Sequence, residues 1–403
     1  MDNPKEKFTE FFNNATKGAN LTIITFVVIF IILFSLFTWI FNTLSLKENA
    51  CKKMDSIYNE ITFKYKGISF IKKNDILIDE STTYNTLNSK ITTVSDENKN
   101  NEKIYDDDNK SLFLNYYVKA AYNCCCGDGY KNNFVNMCAL EKCIFAGARF
   151  LDFEIYSLNN EPIIAASTAN NNSIKETYNN LEMGDILKYI AYNAFFNEST
   201  QAADDPLILH FRFMSTNKII YDKTAEYLKE YLADVLWPYT CNRDNYDPDN
   251  ILLRKIKYFS RRVILIVNCF HGIRLQDTKL YELTNMESNS TYCHFLRYND
   301  IGGANNSLLR NESKKKYIIV LPDINNDKKN FDIANPIANG CQVIAMKFQS
   351  LDSQLISYFE HFKKNGSYNF IIKESYVRYE KNESPEYENG VSIKTTDYLI
   401  KNY

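Results

Sequence analysis

The chain has 403 residues, a length that allows one large domain or two to three small ones. Its 45% apolar content can bury a sizeable core, and a formal charge of −2 excludes nucleic-acid binding through bulk electrostatics. Only 12 glycines and 8 prolines stand beside 29 tyrosines and abundant Asn, Lys and Ile, a bias typical of AT-rich genomes such as those of large DNA viruses or certain protists.

After an N-terminal tail, 1–20, no residue from Ala19 to Leu46 is charged, and 23–41 is almost wholly apolar. Roughly 20 such residues span a bilayer. The run is too long for a signal peptide, and no small-x-small cleavage site follows it. Trp39 suits an interfacial position. A single transmembrane helix over 21–44 is therefore expected, making this a single-pass membrane protein. Lys5, Lys7 and Lys17 precede the span and Lys47, Lys52 and Lys53 follow it, so charge does not orient it.

Residues 45–110 read as a linker or accessory segment. Within it 45–87 has no clean periodicity, 61–70 suits strands, and 88–111 is polar enough for a solvated linker. Five of the ten cysteines fall in 124–143. Three of them are adjacent, which suits no tetrahedral zinc site. Buried free thiols are expected, with a disulfide inside 124–143 as the alternative.

From 111 to 380 short apolar runs alternate with helical patterns. The runs 113–118, 150–156, 162–166, 207–213, 263–270, 317–321, 343–348 and 369–372 suit buried parallel strands. Residues 222–237 and 351–363 suit amphipathic helices. The class is α/β. Period alone leaves a doubly wound sheet and a barrel both open. Residues 381–403 form a C-terminal tail.

Four blocks narrow the choice. Leu114-Asn-Tyr-Tyr-Val-Lys-Ala-Ala-Tyr-Asn123 opens the region. Gly147-Ala-Arg-Phe-Leu-Asp-Phe-Glu-Ile-Tyr156 together with Glu161-Pro-Ile-Ile-Ala-Ala-Ser-Thr168 makes the second block. Then come Asp205-Pro-Leu-Ile-Leu-His-Phe-Arg-Phe-Met214 and Asn339-Gly-Cys-Gln-Val-Ile-Ala-Met-Lys-Phe-Gln349. In this order they resemble the signature of phosphoinositide-specific phospholipase C, a phosphodiesterase family. The likeness spans roughly 111–379, with halves at about 111–237 and 313–379. It implies a distorted TIM (β/α)8 barrel, with functional groups at the C-terminal ends of the strands.

The resemblance also implies a site built from two histidines and a calcium ion. Here Tyr122 stands at the first histidine and Ala166 at the second. Tyrosine titrates near pH 10 and alanine not at all, so neither is a neutral-pH base. Asn123, Asp152 and Glu154 fall on calcium-ligand positions, with the two acids exchanged in type. Arg212 falls where a third carboxylate is expected, and its permanent charge repels calcium. An ion pair between Arg212 and Asp152 or Glu154 is expected, closing a relic metal or phosphate site. Near Val267 and Ile319 the family's headgroup-binding basic residues are absent. His210, on the strand of Arg212, and His271, at a strand end, are the alternative catalytic candidates. His294 and His361 are weaker ones.

The expected protein is a membrane-anchored phospholipase C-like barrel that has lost its chemistry. It would be a pseudoenzyme serving a structural or interaction role in a host or virion membrane, with protein partners and no cofactor. Two alternatives stay open. One is a phosphoric diester hydrolase acting on inositol phospholipids through a rebuilt, calcium-dependent site. The other is a phosphoinositide-binding module without turnover.

Overall fold

The apolar runs lie side by side because each is buried on both faces and finds its hydrogen-bond partners only in a neighbouring strand. A computed structural model describes residues 7, 9, 10, 20–65, 67, 69, 71, 111–169, 174–197, 200, 202–237, 251–303, 306–325 and 328–380. Residues 88–110 of the expected linker and the tail 381–403 lie outside the described residues.

Eight parallel strands form a nearly closed barrel: β1 (Tyr116–Ala121), β2 (Phe150–Leu158), β5 (Leu207–Phe213), β6 (Val263–Asn268), β7 (Met286–Glu287), β8 (Cys293–Arg297), β9 (Tyr317–Leu321) and β10 (Val343–Met346). The path runs β7-β6-β5-β2-β1-β10-β9-β8, so the open seam lies between β7 and β8. β3 (Glu161–Ala165) pairs antiparallel with β2 and with β4 (Leu181–Glu182), and β11 (Phe370–Ile372) pairs antiparallel with β1. Helices α2 (Met137–Phe145), α3 (Met183–Asn193), α4 (Lys218–Leu232), α5 (Ser307–Ser313), α6 (Ala334–Ala338) and α7 (Ser353–Lys364) occupy the connections. This is the expected barrel, but the runs 162–166 and 369–372, expected as parallel strands, pair antiparallel beside it as β3 and β11, and β7 and β8 take the two remaining barrel places.

Several boundaries differ from expectation. Residues Phe113–Asn115 form a 3-10 turn and β1 starts at Tyr116; it runs on to Ala121 because Ala120 and Ala121 pair with both β2 and β10. The helix expected over 222–237 is Lys218–Leu232, started by Asn217, whose side chain accepts from the Ile219 N–H. The stretch between the two resembling halves is barrel, supplying β6, β7 and β8.

The largest difference is at the N-terminus. The helix α1 (Asn20–Tyr65) does not stop at the end of the apolar run. No strand forms at 61–65; Ala50, Met54, Ile57, Ile61 and Tyr65 make one buried helical stripe against the barrel. Steps of three and four residues put them on one face. The apolar part of α1 is exposed throughout, and α1 is long and apolar enough to cross a membrane.

Two of the glycines kept in the resembling blocks are kept for space. Gly147 has φ 89° and a Cβ there would lie 2.2 Å from Asn369 Oδ1. Gly340 has φ 72° and a Cβ would meet Ser313 and Val377 at 2.7 Å. Arg149 donates through both terminal nitrogens to Ala194 O at 3.1 Å, and Gln342 bridges Leu114 O and Ser313 O. These block residues hold elements together.

The cysteines follow neither simple expectation fully. Cys51 of α1 is joined to Cys138 of α2, while Cys124, Cys125, Cys126 and Cys143 are buried free thiols. The pairing inside 124–143 does not form; the partner of Cys138 comes from 87 residues away.

Lys119 is buried in the barrel wall, where it donates to Asn369 Oδ1 at 3.0 Å and lies 5.2 Å from the Phe359 ring. Burial lowers its pKa to about 7, although Asp205 pulls the other way. A lysine that loses its proton more readily when folded destabilises the fold most at low pH. The penalty is full below about pH 7 and fades as pH rises toward the unfolded value near 10.4. Lys119→Met is therefore expected to be more stable than wild type at pH 6, by roughly 2–4 kcal/mol. Denaturant titrations at pH 6 and pH 9 measure this; an advantage no smaller at pH 9 contradicts it.

Candidate functional site

β2 and β5 run parallel with Asp152 opposite His210 and Glu154 opposite Arg212. Residues two apart on a strand share a face, so two acids, a histidine and a guanidinium converge at the mouth end of the barrel. All four are at most 2% exposed. Asn123, two residues past β1, has φ 42°, a left-handed conformation that asparagine tolerates better than most residues. Its backbone N–H donates to Asp152 Oδ2 at 3.1 Å and its Nδ2 to Glu154 Oε1 at 3.0 Å.

Arg212 fills the centre. Its Nε donates to Asp152 Oδ1 at 2.8 Å and its Nη2 to Asp152 Oδ2 at 2.7 Å, a two-pronged pair. Its Nη1 reaches Glu154 Oε1 at 3.1 Å, and Nη2 also donates to Asn123 Oδ1 at 2.9 Å. His210 Nδ1 lies 2.8 Å from Asp152 Oδ1, and its Nε2 lies 3.2 Å from Ser288 Oγ. Glu154 Oε2 accepts from the Tyr156 hydroxyl at 2.9 Å and from the Ser167 N–H at 3.0 Å. Each of the four carboxylate oxygens thus has two polar partners.

Charge follows this geometry. Burial pushes the Asp152 carboxyl up, but Arg212 and the His210 hydrogen bond outweigh it and hold it well below the usual carboxylate range. Burial pulls Arg212 down, and Asp152 and Glu154 more than restore it, so the guanidinium stays charged. Burial lowers His210 despite its acid neighbour, so the imidazole is neutral at pH 7.

Tyr122 lies over this cluster, its ring 5.2 Å from the Arg212 guanidinium carbon. Burial raises its phenol pKa further above neutrality. Arg297 donates to the Tyr122 hydroxyl at 3.4 Å and to Pro322 O at 2.7 Å, and Tyr130 packs edge-on to Tyr122. The gap beside the cluster, lined by Asn123, Asp152, Glu154 and Ala165 among others, is too small for a water molecule. Ala166 is fully buried and brings only a methyl group.

The structure thus brings Tyr122, Asn123, Asp152, Glu154, His210 and Arg212 together. It leaves His271 on an exposed turn after β6. Val267 and Ile319 are buried apolar core. Sequence reasoning missed Arg297, Tyr130 and Ser288. They come from stretches outside the resembling blocks, or from the loop after β1, where only their position in the fold gives a signal.

Fold and site together define a parallel barrel of phospholipase C type with its polar groups at the mouth. No family model matches the chain, and no curated protein matches it. Among solved structures it is similar to S. officinalis PLC21, with a TM-score of 0.54 and 14% identity over 81% of this chain and 50% of that one. L. pealei PLC21 gives a TM-score of 0.52 at 14% identity, with 81% and 50% covered. A calcium-dependent phosphoinositol-specific phospholipase C from Pseudomonas sp is matched at TM-score 0.42 and 10% identity, over 68% of this chain and 100% of that one. The chain spans about half the length of the two PLC21 structures. At such identity the likeness carries the fold alone.

The residues present do not fit a calcium ion. Calcium takes roughly six to eight oxygen ligands, chiefly carboxylates. Here the oxygens of Asp152 and Glu154 and the Asn123 Oδ1 all face a guanidinium or other donors. Among the described residues, no group of three His, Cys, Asp or Glu side chains is placed to hold a metal.

Proposed function

We propose that the protein is a membrane-anchored, catalytically silent phospholipase C-like barrel with a structural or interaction role in a host or virion membrane. The observation that carries this reading is Arg212, which occupies the centre of the mouth and engages both acids and Asn123. Cleaving an inositol phospholipid needs a base for the 2-hydroxyl, an acid for the leaving group and positive charge at the phosphoryl oxygens. Tyr122 and Ala166 supply neither base nor acid. His210 has its Nδ1 against Asp152 and is buried among Phe150 and Phe295. The Arg212 charge is already neutralised by carboxylates. The apolar stretch of α1 is the anchor in this reading, and the barrel offers its outer surface to protein partners.

The test is hydrolysis of phosphatidylinositol and its phosphorylated forms by the purified full chain in detergent, with and without calcium, after circular dichroism shows it folded. No turnover above blank is expected in either condition. Calcium-dependent turnover would sink the proposal and favour a hydrolase whose mouth opens on substrate binding.

A further inference from the structure

Three contacts between α1 and α2 share one offset. Cys51 bonds Cys138, Asp55 pairs with Lys142 at 2.9 Å, and Tyr58 packs on Phe145. Each pair is 87 residues apart, the separation of the disulfide. Two helices touching at a constant offset over two turns run parallel and in register. α2 follows β1 and precedes β2, so it runs from the barrel mouth to the opposite end; α1 must do the same. The far end agrees. Tyr65 donates to Glu360, late in α7, and Ser69 donates to Asp205, two residues before β5.

The apolar stretch of α1 therefore projects from the mouth side. Ala50 sits against the loop that follows β1: a Cβ on Gly127 would lie 3.0 Å from the Ala50 Cβ. Leu46, the last residue of the uncharged stretch, is four residues earlier, about 6 Å along a helix. That is about the depth of one headgroup layer, since a bilayer's polar regions add roughly 5–7 Å to each side of its hydrocarbon core. The same rim is basic. Lys53 and Lys328 share the one carboxylate of Asp128, leaving surplus positive charge. Beside it Ile174 is 75% exposed and Tyr178 43%, on a segment tied to the loop after β1 by Asn132 N–H to Glu176 O and Tyr178 N–H to Asn133 O.

We infer that α1 is a rigid strut, pinned by Cys51–Cys138, that holds the barrel mouth against the anionic headgroup layer of the bilayer it crosses. The contact face is the 123–136 loop, Lys53, Lys328 and the segment carrying Ile174 and Tyr178. This rests on the anchoring reading above. The protein's closed end meets lipid, and the opposite end, with exposed Tyr192 and Phe196, faces away from it. Basic side chains beside an anionic leaflet are attracted to it over about a Debye length.

The test uses full-length protein in phosphatidylcholine–phosphatidylserine nanodiscs doped with a nickel-chelating lipid. Nitroxides are placed by Ile174→Cys or Tyr192→Cys in a Cys241→Ser/Cys269→Ser background, since Cys269 is the half-buried one among the described free thiols and Cys241 lies outside the described residues. Relaxation enhancement by headgroup nickel is expected to be at least several-fold larger at position 174 than at 192. Equal enhancement, or the reverse order, in protein that co-purifies with the nanodisc overturns the inference while leaving the anchor intact. Protein that elutes apart from the nanodisc overturns the anchor itself.

Discussion

Replacing Arg212 with methionine is expected to destabilise the barrel by about 3–5 kcal/mol, the usual cost of removing one partner from a buried ion pair. The residue is 1% exposed and makes four hydrogen bonds, three of them to carboxylate oxygens. Methionine fills similar volume, so the loss reports charge and hydrogen bonds more than a cavity. Asp152 and Glu154, both buried, would be left without the cation they share. Arg212→Lys is expected to recover little, because one ammonium cannot reproduce the planar fork that spans Asp152 Oδ1 and Oδ2. Pairing Arg212→Met with Asp152→Asn is expected to cost less than the two single losses added, since the two residues share one network. Chemical denaturation of the four proteins measures the coupling. A single-variant loss below about 1 kcal/mol would mean that the acids find other partners and that Arg212 is not what keeps the mouth closed.

Removing the Cys51–Cys138 bond is expected to have an effect of similar size. The bond closes a loop of 87 residues, and restricting such a loop in the unfolded chain stabilises the fold by on the order of 4–5 kcal/mol. Cys51→Ser/Cys138→Ser keeps the packing of Met54, Ile57 and Ile61 on the barrel, so α1 should still dock. The strut would then rest on that stripe and on the Lys142–Asp55 and Lys53–Asp128 pairs, whose partly exposed side chains contribute little each. Thermal unfolding with and without reductant checks this. Wild type should fall to the level of the double variant when reduced, and the variant should not respond. A wild type indifferent to reductant would show the bond absent in solution.

The buried strands were legible because a strand covered on both faces must be apolar along its length. β5 and β9 coincide with their apolar runs residue for residue. β1 was misplaced by three residues because alanines carry little hydrophobic signal, although Ala120 and Ala121 pair on both sides. The lower half of α1 escaped because it buries only one stripe; Glu48, Lys52 and Asp55 on its other faces hide the spacing of Ala50, Met54, Ile57, Ile61 and Tyr65.

The sequence by itself determined which residues could meet at the mouth. A strand's two-residue period puts Asp152 with Glu154 and His210 with Arg212, and the absence of histidine at Tyr122 and Ala166 needs no coordinates to see. Tertiary structure alone decided that all four carboxylate oxygens are occupied, that Tyr122 and Arg297 lie over them, and that Cys138 finds Cys51. Those outcomes depend on the register between strands and on the packing of helices far apart in the chain. Local pattern does not encode such distances; burial of the whole core fixes them.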